Sequence, residues 1–278
     1  MRKIAIILFS LSSILCSCHR EHWGHADQQI VVDGWIDSGA TPVVMVTSTV
    51  NPSSEFRTIE ELRSHILKWA KVTLTSPDTT VVLVGSINKN YFPPYIFTTS
   101  YIKGVPGQRY DLKVEYGGET VTASTTVPQS EALIGLEAQP VKGYDDCYTI
   151  VAKMGPKPSE RRFYRFFTKV EGEDDYFHAT FPGAFDSSNL KENAEITLTK
   201  GYSIDGRHLN SHFKKGDTVY IKFCTMDEPA WRFWSDLDRI CSLGKAVLFP
   251  TYENPSSNIA GGLGYWAGYG TTYYSINL

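Results

Sequence analysis

Cys18 is the residue whose surroundings most clearly specify a reaction. Arg2 and Lys3 precede an apolar run, Ile4-Ala5-Ile6-Ile7-Leu8-Phe9, which continues through Leu11 and closes on Leu15-Cys16-Ser17-Cys18. A basic start, a short apolar core and small residues at the end specify an export signal. The core is about ten residues, half of the roughly twenty that a membrane span requires. An ending of Leu-x-Ser-Cys rather than Ala-x-Ala predicts a lipoprotein, with residues 1–17 removed and Cys18 becoming the lipidated first residue. The alternatives are an ordinary signal peptide cut nearby and cleavage before Cys16, where Ser13 occupies the place that Leu15 holds before Cys18.

The other spacings that could do chemistry are weaker. His19, His22 and His25 have a ligand-like spacing, but residues 18–28 form a short tether in which no periodic apolar pattern preorganises them. His208 and His212 on a strand would lie about 13 Å apart, too far for one metal. The run Glu171-Gly-Glu-Asp-Asp175 lacks the alternating oxygen ligands of a calcium loop and reads as a solvated turn, as does Asp145-Asp146. No His-Glu-x-x-His, Gly-x-Ser-x-Gly, P-loop or Cys-x-x-Cys occurs. The expectation is therefore no catalytic residue, no metal, no cofactor and no enzymatic activity. Only a pair of carboxylates brought together by folding would leave room for a glycosidase.

The C-terminus is more distinctive. In Ser257-Asn-Ile-Ala-Gly-Gly-Leu-Gly-Tyr-Trp-Ala-Gly-Tyr-Gly270, no Lys-Ser/Thr follows the glycines, so no phosphate cradle is expected. Tyr265, Trp266, Tyr269 and Tyr273 are amphipathic aromatics of the kind that form ligand or partner platforms. The same residues would also suit a closing strand packed into a core, with Gly261 and Gly262 permitting the bend before it.

Composition bounds the rest. Loss of Arg2 and Lys3 with the first 17 residues moves the net charge from −3 to −5, and no basic block is present for nucleic acid or anionic lipid. Cys147, Cys224 and Cys241 cannot all pair. Cys241 would lie about 21 Å along a helix that Cys224 precedes by about 10 Å of strand, which argues against that bridge. All three read as small buried residues, with a bridge from Cys147 the lesser alternative.

The elements that must position these residues are mainly strands. Expected strands are Gln29–Ile36, Pro42–Val50, Lys71–Ser76, Thr80–Ser86, Arg109–Tyr116 and Glu119–Val127. Tyr110, Leu112, Val114 and Tyr116 alternate strictly, and Gly117-Gly118 marks a hairpin. Ile59, Leu62, Ile66 and Trp69 predict a short helix over Thr58–Ala70. This pattern predicts an immunoglobulin- or transthyretin-like β-sandwich over residues 29–128, with a boundary at Pro128. A second β-rich domain over 129–278 would hold strands at Ala132–Pro140, Cys147–Lys153, Arg162–Val170, Tyr176–Phe181, Glu195–Thr199 and Thr218–Thr225. It would also carry one amphipathic helix over about 227–243, capped by Asp227 and striped by Trp231, Trp234, Leu237, Ile240 and Cys241.

Val32-Asp-Gly-Trp-Ile36, Gly107-Gln-Arg-Tyr-Asp-Leu-Lys-Val114, Thr122-Ala-Ser-Thr-Thr-Val-Pro128, Phe233-Trp234 and Ser257-Asn-Ile-Ala-Gly-Gly-Leu-Gly-Tyr265 accompany the lipidation cysteine. Together they resemble the DUF4249 family of Bacteroidota lipoproteins across nearly the whole mature chain. The resemblance implies an outer-membrane lipoprotein beside a TonB-dependent receptor, acting as an accessory binding component of nutrient uptake, and it carries over no catalytic residue. Its partners would be the membrane, through lipid on Cys18, and that receptor, with no nucleic acid. His19-Arg-Glu-His22 holds one acidic residue, where surface-exported lipoproteins of this phylum often carry several, so the leaflet stays open with the cell surface favoured. The alternative from another class is a structural or adhesive envelope protein, with an envelope hydrolase behind both.

Overall fold

The computed structural model describes residues 28–50, 63–201, 211–243 and 253–278. Cys18, His19, His22, His25, His208 and residues 58–62 of the expected first helix lie outside them. Every element below falls in one compact unit.

The alternating segments form strands. The first are β1 (Ile30–Asp37), β2 (Val43–Ser48), β3 (Lys71–Thr75), β4 (Thr80–Val82), β5 (Val84–Ile87) and β6 (Tyr95–Thr98). β7 (Arg109–Tyr116) and β8 (Glu119–Thr126) follow, joined at Gly117 and Gly118, whose φ values of 60° and 91° suit the twist of a tight hairpin. Then come β9 (Gly135–Pro140), β10 (Cys147–Lys153), β11 (Phe163–Val170), β12 (His178–Asp186), β13 (Glu195–Leu198), β14 (Phe213–Lys214) and β15 (Thr218–Met226). Helix α1 (Glu228–Leu243) precedes the 15-residue strand β16 (Leu263–Asn277). The protein is mainly β, with one α-helix among the described residues.

Eight strands form a long sheet in the order β12-β11-β15-β16-β1-β2-β6-β5, and two four-stranded sheets flank it, one of β4-β3-β7-β8 and one of β9, β10, β13 and β14. β16 is the joint. Residues 263–269 run parallel to β1, whereas residues 270–277 run antiparallel to β15. Strands from both sides of Pro128 therefore share the long sheet.

Because side chains alternate along a strand, each strand of the long sheet serves two faces. On one face, Val32, Ile36, Val44, Val46 and Trp266 pack with Val72, Leu74, Tyr110, Leu112 and Val114 of the first small sheet. Farther along the same sheet, Tyr164, Phe166, Ile221 and Phe223 pack with Ile150, Ala152, Ile196 and Leu198 of the second. The long sheet thus completes two sandwich-like cores. The other face carries Phe167, Cys224, Tyr265, Ala267 and Tyr269, against which α1 lays Trp234.

Two carboxylates fix the helix there. Asp227 caps it by accepting from the Ala230 N–H at 3.1 Å and is itself held by the Thr125 hydroxyl at 2.8 Å. The Asp238 carboxylate accepts from the buried Arg165 guanidinium and from the Gly183 and Ala184 N–H groups, each at 3.0 Å. Arg165 also stacks 4.3 Å from the Trp234 ring.

Three expectations need correction. The described end of the segment read as Thr58–Ala70 helix is only a 3-10 turn, Arg63–His65, followed by an Ile66–Thr47 bridge, and Trp69 is 90% exposed. The strand read over Thr80–Ser86 is two strands in different sheets, because Leu83 turns inward between them with its N–H bonded to the Val72 carbonyl. Of the cysteines, Cys224 is buried with a free thiol, Cys147 is half-buried and free, and Cys241, in the last turn of α1, is exposed.

Candidate ligand cavity

The helix covers only part of its face. Beside it lies a cavity of about 500 Å³, within the size range of small-ligand sites. Its floor is the long sheet: Asp33, Trp35 and Asp37 of β1, Tyr265, Tyr269 and Tyr273 of β16, Lys222 of β15, Phe167 of β11, and Val43 and Met45 of β2. Asn90, Tyr91 and Phe92 before β6 wall one side, and Asp175, Tyr176, Phe177 and His178 wall another, with Trp234 completing the rim.

Strand register explains why these residues meet. Asp33 is opposite Tyr265 and Asp37 opposite Tyr269 in the parallel pair, while Lys222 is opposite Tyr273 in the antiparallel one. Tyr265, Tyr269 and Tyr273 are spaced by four residues, so the pleat places them on one side of the sheet. Trp266 is displaced by one residue and faces the other side, fully buried, with its indole N–H donating to the Tyr110 carbonyl at 3.0 Å. Of the four aromatics singled out in the sequence, three line the cavity and Trp266 is in the first core.

The cavity holds a buried ion pair. Lys222 Nζ lies 2.8 and 2.7 Å from the two Asp37 carboxylate oxygens, and Tyr273 donates to Asp37 at 3.2 Å. Burial disfavours the Lys222 ammonium, but the facing Asp37 carboxylate together with Cys224 and Tyr273 outweighs it and holds the group above the ordinary lysine value. The ammonium also lies 5.2, 5.3 and 5.8 Å from the ring centres of Tyr269, Phe167 and Trp35. Burial, reinforced by Asp37, pushes the Tyr273 phenol up to about 12, and burial holds Tyr265 and Tyr269 well above their usual value. These phenols stay neutral: Tyr265 and Tyr273 donate to Asp33 and Asp37, and Tyr269 accepts from the Trp234 indole N–H at 2.8 Å.

Asp33 is different. It lines the cavity, takes a hydrogen bond from Tyr265, and leaves Oδ1 shielded from solvent with no partner. Burial raises its carboxyl from 3.8 to about 6, the Tyr265 hydrogen bond opposing the shift only in part. The folded state therefore binds this proton more tightly than the unfolded chain, so Asp33 destabilises the fold as pH rises from 3.8 to about 6 and by a constant amount above that. Asp33→Asn is expected to remove this slope and to raise neutral-pH stability by on the order of 2 kcal/mol. Urea titrations of both proteins between pH 4 and 7 check it; parallel stability curves would contradict it.

Asp33, Asp37 and Lys222 were not singled out by sequence reasoning. Val32-Asp-Gly-Trp-Ile-Asp37 carried a usable signal, since period two puts both carboxylates and Trp35 on one face. The acidic run forms a turn after β11, in which Asp174 accepts from the Val170 N–H at 2.7 Å and faces His178 Nε2 at 3.5 Å. No cluster of three or more metal-ligating side chains occurs among the described residues, and no described helix is long and apolar enough to cross a membrane.

The model of the family described as domain of unknown function (DUF4249) matches residues 22–275. No curated protein matches the chain.

Proposed function

The chain belongs to the DUF4249 family, whose function is unknown, and we propose that it is a non-catalytic binding lipoprotein, anchored in the outer membrane through Cys18, that serves a TonB-dependent uptake system. The aromatic cavity carries the binding half of this reading. An open space of about 500 Å³ lined by Trp35, Trp234, Tyr265, Tyr269 and Tyr273 around a desolvated ion pair has the apolar walls and few fixed polar groups of a ligand site. The two β1 carboxylates there, Asp33 and Asp37, have unlike tasks, because Asp37 is committed to Lys222. That arrangement favours holding a ligand over acid–base work on one.

The anchor is supported by the Leu15-Cys16-Ser17-Cys18 ending, and the transporter partner by the family resemblance. One acyl chain binds membranes only marginally, whereas several on one cysteine anchor stably. Cys18→Ser is expected to move the protein from the membrane pellet to the soluble fraction, and retention after a high-salt wash would remove Cys18 as anchor. Crosslinking of the native lipoprotein in intact cells tests the partner. Recovery of a TonB-dependent barrel is the expected result; recovery only of other surface proteins or of peptidoglycan would favour a structural or adhesive role.

A further inference from the structure

We propose that the cavity takes a small organic cation, an amine or quaternary ammonium compound, whose charge is met by the Asp33 carboxylate and whose body packs on aromatic rings. The proposal rests on the reading of the cavity as the ligand site and adds the class of ligand. The charges around the cavity are unequal in their commitments. Lys222 and Asp37 neutralise each other at 2.7–2.8 Å, and Lys169 is turned to the Asp175 carbonyl at 3.2 Å. Asp33 has no cationic partner among the described residues, and one of its oxygens has no hydrogen bond at all. An ionised carboxylate so placed costs stability until a cation or a set of donors reaches it.

The walls suit a cation in particular. The Lys222 ammonium already lies within 6 Å of three ring centres, so the cavity has the electron-rich faces that accommodate a desolvated ammonium. Tyr265, which holds Asp33, is packed 5.1 Å from Trp234, and Trp35 follows Asp33 on the same strand face. An anionic ligand would meet Asp33 and Asp37 with both lining ammonium groups, Lys222 and Lys169, already engaged. A neutral sugar would stack on the rings and donate hydroxyls to Asp33, but it would bring no opposite charge to the carboxylate.

The test uses the full-length lipoprotein in detergent, titrated with choline, butylamine and 3,3-dimethylbutan-1-ol, the uncharged carbon analogue of choline. Calorimetry and tryptophan fluorescence report binding, Trp35 and Trp234 being in the cavity. At least one of the two cations is expected to bind more tightly than about 1 mM, and choline at least about tenfold more tightly than its uncharged analogue. Asp33→Asn should abolish the preference for choline and leave the analogue within about twofold. Trp35→Leu should weaken choline about fivefold or more, through the ring rather than the charge. Equal binding of choline and its analogue, or an unchanged preference in Asp33→Asn, overturns the cation assignment. If the analogue or a disaccharide quenches the cavity tryptophans while neither cation binds, the ligand site stands and its class is neutral. If no probe of either kind binds, both readings fall.

Discussion

Lys222→Met is expected to lower the unfolding free energy by about 3–5 kcal/mol at neutral pH. The loss comes from what the substitution leaves behind. Lys222 and Asp37 are 6% and 7% exposed, and the ammonium contacts both carboxylate oxygens. Methionine fills the same space against Phe167 and Tyr269 but cannot neutralise Asp37, which keeps only the Tyr273 hydroxyl at 3.2 Å. A buried charge without its partner is far costlier than no charge pair at all. Lys222→Met combined with Asp37→Leu should therefore recover most of the loss and fall within about 1 kcal/mol of the wild type. Urea denaturation of the four proteins in the cycle measures both quantities. If Lys222→Met alone costs less than about 1 kcal/mol, water from the cavity solvates Asp37 and the pair contributes nothing to the fold. If the double variant is as unstable as the single, the loss comes from packing and not from the uncompensated carboxylate. The pair spans β1 and β15, which β16 separates, so it ties the two halves of the long sheet from the cavity side.

Local features of the fold were legible, whereas the partners of each strand were not. Tyr110, Leu112 and Val114 announced β7 by strict alternation, and all three are buried. Asp227 announced the start of α1, where it caps the helix as its residue type predicts. Period two tells which residues share a face but not which strand lies alongside, so nothing local reveals that Asp33 pairs with Tyr265 more than two hundred residues away. Trp69 shows the opposite error: its spacing from Ile66 mimicked a helical stripe, yet Ile66, Leu67 and Ala70 are buried and Trp69 is not. The cavity was half legible for the same reason. Tyr265, Tyr269 and Tyr273 stood out as aromatics, but Trp266 could be separated from them only once the segment was known to be one continuous strand. Lys222 was hidden inside Tyr220-Ile-Lys-Phe-Cys224, where a charge in a strand reads as a solvent-facing position. It turns inward because the long sheet is covered on both faces there, by a core on one side and the cavity rim on the other.

Gly264→Ala is expected to cost about 4 kcal/mol or more, enough to remove the native state from a domain of ordinary stability. Two independent constraints meet at this position. Its φ is 96°, a conformation that costs an L-residue about 1–3 kcal/mol even in open space. In addition, a Cβ there would lie 1.9 Å from the Val32 carbonyl oxygen, which belongs to the backbone of β1 and cannot rotate away. Relief requires β16 to move off β1, and that separation breaks the parallel ladder running from Val31–Leu263 to Asp37–Tyr269. Asn258 would be disturbed too, since its side chain grips the backbone of Trp266 through the N–H at 2.9 Å and the carbonyl at 2.8 Å. Gly107→Ala is the control, because Gly107 has a φ of 84° with nothing within 4 Å of the added carbon. It should show the conformational cost alone, about 1–2 kcal/mol. Comparing the two in urea separates backbone strain from strand contact. Equal losses would mean that the ladder between β1 and β16 yields at little cost at Gly264. A much larger loss at Gly264, accompanied by lost quenching of the cavity tryptophans at partial unfolding, would make the same glycine a requirement of both the fold and the ligand site.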